Sequence, residues 1–171
     1  RQRQMCIRDR FIYDGTQKQP TITVETENKP LVEGADYNIT WPSDLINAGK
    51  KEITVTGRGG YVGTKKLTYE IIPAAIAGVS LSAVRYTYDG SAKKPAVIVK
   101  SNGKTLSADT DYTVSWPSDV IGVGKKTVTV TGKGNYAGEL KTSYEILPSP
   151  TFGVSFDMSQ FIYDGTQKQP T

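Results

Sequence analysis

The sequence predicts an all-β protein made of small tandem modules, and two observations carry this prediction. The chain repeats itself with a fixed spacing of 75 residues: Tyr13-Asp14-Gly15 recurs as Tyr88-Asp89-Gly90 and again as Tyr163-Asp164-Gly165. Self-similarity at a fixed period is typical of an array of like structural units. Within each unit apolar and polar residues alternate, which is the pattern of half-buried β-strands.

Comparison of the two longer copies predicts which strand positions face the core. An inward position stays apolar in both copies, whereas an outward position is free to change. No segment keeps the i, i+3, i+4, i+7 spacing of an amphipathic helix. The predicted inward pairs are Ile22/Val97, Val24/Val99, Tyr37/Tyr112, Ile39/Val114, Trp41/Trp116, Ile53/Val128, Val55/Val130, Tyr69/Tyr144 and Ile71/Ile146.

Turn residues separate the predicted strands. Asp89-Gly90, Asn102-Gly103 and residues 132–135 combine Gly with Asn or Asp, which adopt positive φ at little cost. Six or seven short strands in one unit suit a small antiparallel β-sandwich of immunoglobulin-like type. A unit of this size buries little surface, so we expect it to gain stability from its neighbours.

A second repeated motif locates the module boundaries. Gly78-Val79-Ser80-Leu81 recurs as Gly153-Val154-Ser155-Phe156 and is predicted to be the opening strand, with residues 72–75 and 147–150 as short linkers. Residues 161–171 repeat residues 11–21 letter for letter, so the chain is interpreted as a piece of a longer array. The predicted domains are 11–75, an Ig-like repeat lacking its first strand; 76–149, a complete repeat; and 150–171, a linker and the truncated start of a third repeat.

Residues 1–10, RQRQMCIRDR, share nothing with the repeat and resemble a translated sequencing adapter, so we exclude them from fold reasoning. Removing their four arginines and one aspartate from the chain's 21 basic and 17 acidic residues leaves 17 and 16, and the net charge falls from +4 to +1. A nearly neutral remainder does not predict nucleic-acid binding. No apolar run reaches the roughly 20 residues of a membrane span.

The order of motifs over residues 86–146 resembles the tandem immunoglobulin-like repeats of bacterial, Gram-positive cell-surface proteins. These motifs are Tyr-x-Tyr-Asp-Gly, Lys-Lys-Pro-x-Val-x-Val, Asn-Gly-Lys-x-Leu, Asp-Tyr-x-Val, Thr-Val-Thr-Gly-Lys-Gly-Asn-Tyr-x-Gly and Tyr-Glu-Ile. The resemblance covers everything after residue 10. It implies an extracellular protein, secreted or held at the cell surface, with no catalytic residues to carry over. Trp-Pro-Ser-Asp at residues 116–119 departs from the family pattern and leaves that turn open.

Enzyme chemistry is not predicted. The sequence has no His, and its one cysteine, Cys6, lies in the excluded segment, so the usual catalytic triads and His-bearing metal sites are missing. The nearest carboxylate pairs, Glu33 with Asp36 and Asp109 with Asp111, are expected to shape turns. Calcium suits the same acids better than catalysis does, but too few of them repeat. We therefore predict no catalytic residue, no cofactor and no metal site.

Aromatic and lysine side chains have structural roles in this interpretation. Trp41 and Trp116 share the parity of the inward residues and are expected to pack at the core rather than to stack on a sugar. Lysine pairs such as Lys93-Lys94 and Lys125-Lys126 are expected to protect strand edges. A Lys to Asn or Asp isopeptide cross-link needs a lysine that faces inward in both copies, and none is expected.

The leading functional hypothesis is a non-enzymatic repeat segment of a bacterial surface protein, which acts as a stalk, spacer or adhesin scaffold. Its expected partners are the neighbouring repeats of the same chain. Two alternatives remain open. One is a module that binds host glycan or protein, and the other is an accessory linker module of a secreted carbohydrate-active enzyme.

Overall fold

The structure, a computed structural model, describes residues 10–27, 29–150, 152–154, 163 and 165–167. These residues form β-strands joined by turns, and no helix occurs among them. The all-β prediction is therefore confirmed. Residues 1–9, the main part of the segment assigned to an adapter, lie outside the described residues.

The first repeat is built around one four-stranded sheet. Its strands are β1 (Arg10–Ile12), β2 (Glu25–Thr26), β3 (Lys29–Pro30), β4 (Tyr37–Thr40), β5 (Gly49–Gly57) and β6 (Thr64–Ile72). The sheet has the order β1-β6-β5-β4, and β2 and β3 form a separate antiparallel pair. Strand β5 pairs antiparallel with both of its neighbours, whereas β1 runs parallel to β6.

The second repeat has the same four-stranded sheet and a fuller second layer. Strand β7 (Ala74–Ala75) forms in the connection between the repeats, and the strands of the second repeat are β8 (Gly78–Leu81), β9 (Arg85–Thr87), β10 (Val97–Ser101), β11 (Lys104–Thr105), β12 (Tyr112–Ser115), β13 (Gly124–Gly132), β14 (Tyr136–Ala137) and β15 (Glu139–Leu147). The order β12-β13-β15-β9 matches that of the first repeat, and β8, β10 and β11 form a three-stranded sheet. The predicted opening strand at Gly78–Leu81 is thus β8, which pairs antiparallel with β10.

The core of the second repeat lies between these two layers. Val99 of β10 is fully buried in one cluster with Val130 of β13 and Tyr112 of β12. Along β13 the inward side chains alternate with exposed or half-buried threonines, because successive side chains of a strand point to opposite faces. This packing of two sheets face to face is the predicted small immunoglobulin-like sandwich.

The predicted inward positions face the core in both repeats. Eleven of them are buried and seven are half-buried. The buried ones are Tyr37, Ile53, Val55, Tyr69, Ile71, Val99, Tyr112, Val128, Val130, Tyr144 and Ile146, and the half-buried ones are Ile22, Val24, Ile39, Trp41, Val97, Val114 and Trp116.

Two short segments differ from the expectation. Ala74 and Ala75, expected to lie in a linker, form β7 and pair in parallel with β14. Arg10, assigned to the excluded leader, belongs to β1 and lies opposite Glu70, as Arg85 lies opposite Glu145 in the second repeat. Both differences arise from strand pairing with residues more than fifty positions away, which local sequence patterns do not encode.

Candidate functional site

One carboxylate of each acidic pair considered for catalysis or calcium braces a turn, before β4 in the first repeat and before β12 in the second. The Asp36 carboxylate accepts the Val32 N–H at 2.9 Å, and the Asp111 carboxylate accepts the Ser107 N–H at 2.9 Å. Asp109 has a φ of 65° at the position where the first repeat has Gly34 with a φ of 86°. These carboxylates occupy the turn role expected from the sequence.

The Trp-Pro-Ser-Asp segments, left open by the sequence, end in an aspartate that organises the following loop. The Asp119 Oδ1 atom accepts the N–H groups of Ile121 and Gly122 at 2.9 and 2.8 Å, as Asp44 does one repeat earlier. The tryptophans pack against the core clusters, and Trp116 meets Tyr144 edge to face at 6.4 Å. The expected core-edge role of Trp41 and Trp116 is confirmed.

A buried lysine does occur in both copies, which corrects the expectation that none faces inward. Lys51 and Lys126 are only 8% and 7% exposed. They share the strand parity of the inward residues that follow them, so their aliphatic stems cover the core while the ammonium groups reach its rim. There the Nζ atom of Lys51 lies 2.8 Å from Asp44 Oδ2, and that of Lys126 lies 2.6 Å from Asp119 Oδ2.

These pairs have the electrostatics of ion pairs. The hydrogen bond from the lysine Nζ, followed by two backbone N–H donors, holds the pKa of Asp44 and of Asp119 well below the usual aspartate range. Their carboxylate side chains remain 45% and 59% exposed. An ionised, solvated carboxylate reacts poorly with an amine to form an isopeptide bond. The lysine and the aspartate therefore stabilise the loop as an ion pair.

The second repeat contacts the first repeat and the connection between them at one junction. Strand β7, which directly follows the first repeat, pairs with β14 of the second. The Ala74 N–H donates to the Asn135 carbonyl, and the Ile76 N–H donates to the Ala137 carbonyl, both at 2.9 Å. The connection between the repeats is therefore hydrogen-bonded to the second repeat from its start.

Asn135 also bridges back to the first repeat through its side chain. Its Oδ1 atom accepts the Ala48 N–H at 2.7 Å, and its Nδ2 group donates to Asn47 Oδ1 at 2.8 Å. Ala48 lies directly before β5, beyond the Cα pairing of Gly49 with Ile71. One amide side chain thus ties a turn of the second repeat to the end of the first sheet.

An aromatic contact closes the same junction. The rings of Tyr13 and Tyr136 meet edge to face with centroids 5.5 Å apart. Tyr136 is buried in the cluster that contains Ala74 and Ile76, and Tyr13 packs against this cluster from the first repeat. The apolar core of the second repeat therefore continues across the junction, whose residues we call the junction set: Tyr13, Asn47, Ala48, Ala74, Ile76, Asn135 and Tyr136.

The sequence analysis missed the two asparagines of the junction set, although a signal was present. Asn135 stands where the first repeat has Gly60, and Asn47 stands where the second has Gly122. A polar residue that departs from an otherwise repeated pattern marks a contact made by one copy only. Positions that both copies share predict the core, whereas this contact is made by positions at which the copies differ.

The rest of the described chain offers little further chemistry. Within residues 10–27, 29–150 and the short described segments beyond, no three His, Cys, Asp or Glu side chains gather as a metal would need. A shallow depression on the second repeat is lined by Val84, Arg85, Lys125, Ser143, Tyr144 and Glu145. In the same part of the chain, no helix is long and apolar enough to cross a membrane.

Comparison with known proteins assigns no family. No protein-family profile and no curated protein matches the chain. Among solved structures it is similar to PcdhgB3 EC1-4, with 12% sequence identity and a TM-score of 0.30. The match covers 84% of this chain, which spans about half (49%) of that structure's length.

Proposed function

We propose that the chain is a non-enzymatic segment of an extracellular bacterial stalk, in which each repeat is a spacer held at a defined angle to the next. The observation that carries the proposal is the junction set, which joins two consecutive repeats by backbone pairing, side-chain hydrogen bonds and aromatic packing. The bacterial surface setting comes from the resemblance of the repeat motifs.

The junction supports a stiff spacer because it restrains more than one motion. Relative movement is the default for neighbouring domains unless their interface is large and apolar. Here the β7–β14 pairing limits sliding, while Asn135 and Tyr13 hold the repeats at two further points. Each hydrogen bond contributes about 0.5–1.5 kcal/mol, and an edge-to-face aromatic pair a similar amount.

Residual dipolar couplings of the whole chain test the proposal, since they report whether two bodies share one orientation. We expect a single alignment tensor to fit the backbone N–H couplings of both repeats. Tyr13→Ala combined with Asn135→Gly should require separate tensors, because the aromatic contact and both side-chain bonds are lost. The matched control combines Tyr88→Ala with Asn102→Gly, the same changes at exposed positions outside the junction.

Independent tensors in the parent chain would contradict a stiff spacer. The ligand-binding alternative is tested separately on glycan arrays and by pull-down from host extracts with the whole chain. Saturable binding that persists in the Tyr13→Ala, Asn135→Gly variant would favour recognition by the repeat surface over a spacer role.

A further inference from the structure

The far end of the second repeat carries an exposed apolar patch formed by Tyr88, Val123 and Leu147. Their exposed fractions are 40%, 51% and 37%. The Tyr88 N–H donates to the Leu147 carbonyl at 2.8 Å, and the pairing of Gly124 with Ile146 brings Val123 beside Leu147. The three residues therefore lie together at one end of the four-stranded sheet.

The same three positions in the first repeat are Tyr13, Ala48 and Ile72, and all three are half-buried. Their backbone geometry matches, since the Tyr13 N–H donates to the Ile72 carbonyl at 2.9 Å. The difference is the neighbour: Tyr136 and Asn135 of the second repeat lie against Tyr13 and Ala48. Tyr13 and Ala48 are thus contacted by the second repeat, whereas their counterparts Tyr88 and Val123 are exposed.

From this equivalence we infer that the patch of Tyr88, Val123 and Leu147 is the docking surface for a third repeat of the same chain. The inference rests on the proposed spacer function, because it requires consecutive repeats to pack alike. Residues 161–171, which repeat residues 11–21, supply the sequence start of that third unit.

The segment between the second and third units keeps the donors that docking needs. At the first junction the N–H groups of Ala74 and Ile76 donate to the carbonyls of Asn135 and Ala137, whereas the N–H of Ala77, on the opposite edge, donates to the Lys100 carbonyl. Ser149, Pro150 and Thr151 occupy the positions of Ala74, Ala75 and Ile76. Successive N–H groups of a strand point to opposite edges, so the N–H of Ala75 does not face β14. Pro150 occupies the equivalent position, where the missing N–H costs no hydrogen bond to the docking repeat.

The patch also predicts a more apolar contact than that of the first junction. Gly122 and Val123 replace Asn47 and Ala48, so the side-chain acceptor of the first junction is absent and a larger apolar side chain is added. The backbone N–H at position 123 still offers a donor to an asparagine of the docking turn. We expect apolar burial to carry more of this second junction.

The test extends the whole chain by a copy of residues 97–149 after Thr171, which completes the third repeat in register and gives it the turn of residues 132–136. A soluble gadolinium chelate then broadens methyl protons in proportion to their exposure. The broadening of Val123 and Leu147 should fall to that of Ala48 and Ile72 in the same molecule. Val62, which is 96% exposed in the first repeat, is the internal control and should not change.

Unchanged broadening of Val123 and Leu147, beside a third repeat whose own amides resist hydrogen exchange, would overturn the inference. A second contradicting result would be broadening of Val123 and Leu147 that decreases in the unextended chain as the protein concentration increases. The patch would then be covered by a second copy of the chain. Neither result bears on the stiffness of the first junction, which the dipolar couplings measure independently.

Discussion

At the scale of single residues, the two buried lysines show how a charge is kept in a small core. Lys51 and Lys126 lie at inward positions, but their ammonium groups emerge beside Asp44 and Asp119. The aspartates in turn accept backbone N–H groups of the loop, so a single carboxylate both caps the loop and neutralises the lysine. An apolar residue in place of the lysine would leave the aspartate of the loop without its ion-pair partner.

The first prediction concerns acid stability. Since the pKa values of Asp44 and Asp119 are lower in the folded chain than the ordinary 3.8, ionisation favours folding above that pH, and the contribution is lost as pH falls further. We expect the urea midpoint of the parent to drop between about pH 5 and about pH 2. Asp44→Asn with Asp119→Asn should reduce this dependence, because the amide keeps the loop bonds but does not titrate. Part of it should remain, since hydrogen bonds from Lys18 and Lys93 also lower the pKa values of Asp14 and Asp89.

Glu25→Gln with Glu27→Gln removes the same charge at exposed positions and serves as the control. The loss of stability toward low pH should stay close to that of the parent in this control. An aspartate double variant with the parent's full pH dependence would show that the ion pairs contribute nothing to acid stability.

At the scale of elements, the turn that follows the long central strand is shaped by close backbone approach. A Cβ at Gly132 would lie 2.7 Å from the Ala137 nitrogen, and one at Gly57 would lie 2.8 Å from the Tyr61 carbonyl oxygen. These glycines let the chain fold back tightly, and the Gly132 N–H donates to the Gly138 carbonyl at 2.9 Å. The turn carries Asn135 and Tyr136, so its shape positions the junction.

The second prediction follows from this geometry. Gly132→Ala should lower the free energy of unfolding of the second repeat by about 1–3 kcal/mol, the usual cost of forcing extra volume into a packed site. Gly60→Ala is the matched control in a turn, since a Cβ there meets open space. Urea denaturation followed by tyrosine and tryptophan fluorescence measures both, and equal effects at the two glycines would contradict the packing argument.

At the scale of the whole molecule, the two repeats share apolar packing and hydrogen bonds and are expected to stabilise each other. In linear arrays stability is a sum of the intrinsic stability of each unit and the interface terms between neighbours. The interface term here includes Tyr13, which belongs to the first repeat but packs on the core of the second.

The third prediction measures that coupling. Tyr13→Ala should destabilise the second repeat by about 0.5–1.5 kcal/mol through the lost aromatic pair, although the change lies in the first. Tyr88→Ala, at the equivalent exposed position of the second repeat, should have the smaller effect. Native-state hydrogen exchange at Val128 and Val130 reports the stability of the second repeat in both variants. Identical exchange in the Tyr13→Ala variant and the parent would rule out coupling through this contact.

The sequence by itself determined the strands, the turns and the buried face, because the alternation that encodes them is local and the 75-residue repetition displays it twice. Only the tertiary structure decided the role of Lys51 and Lys126, since burial of a stem and exposure of its charge depend on where the strand ends. It alone also decided the junction. Asn47 and Asn135 lie 88 residues apart, and their contact depends on how two folded units meet, which no pattern within either unit specifies.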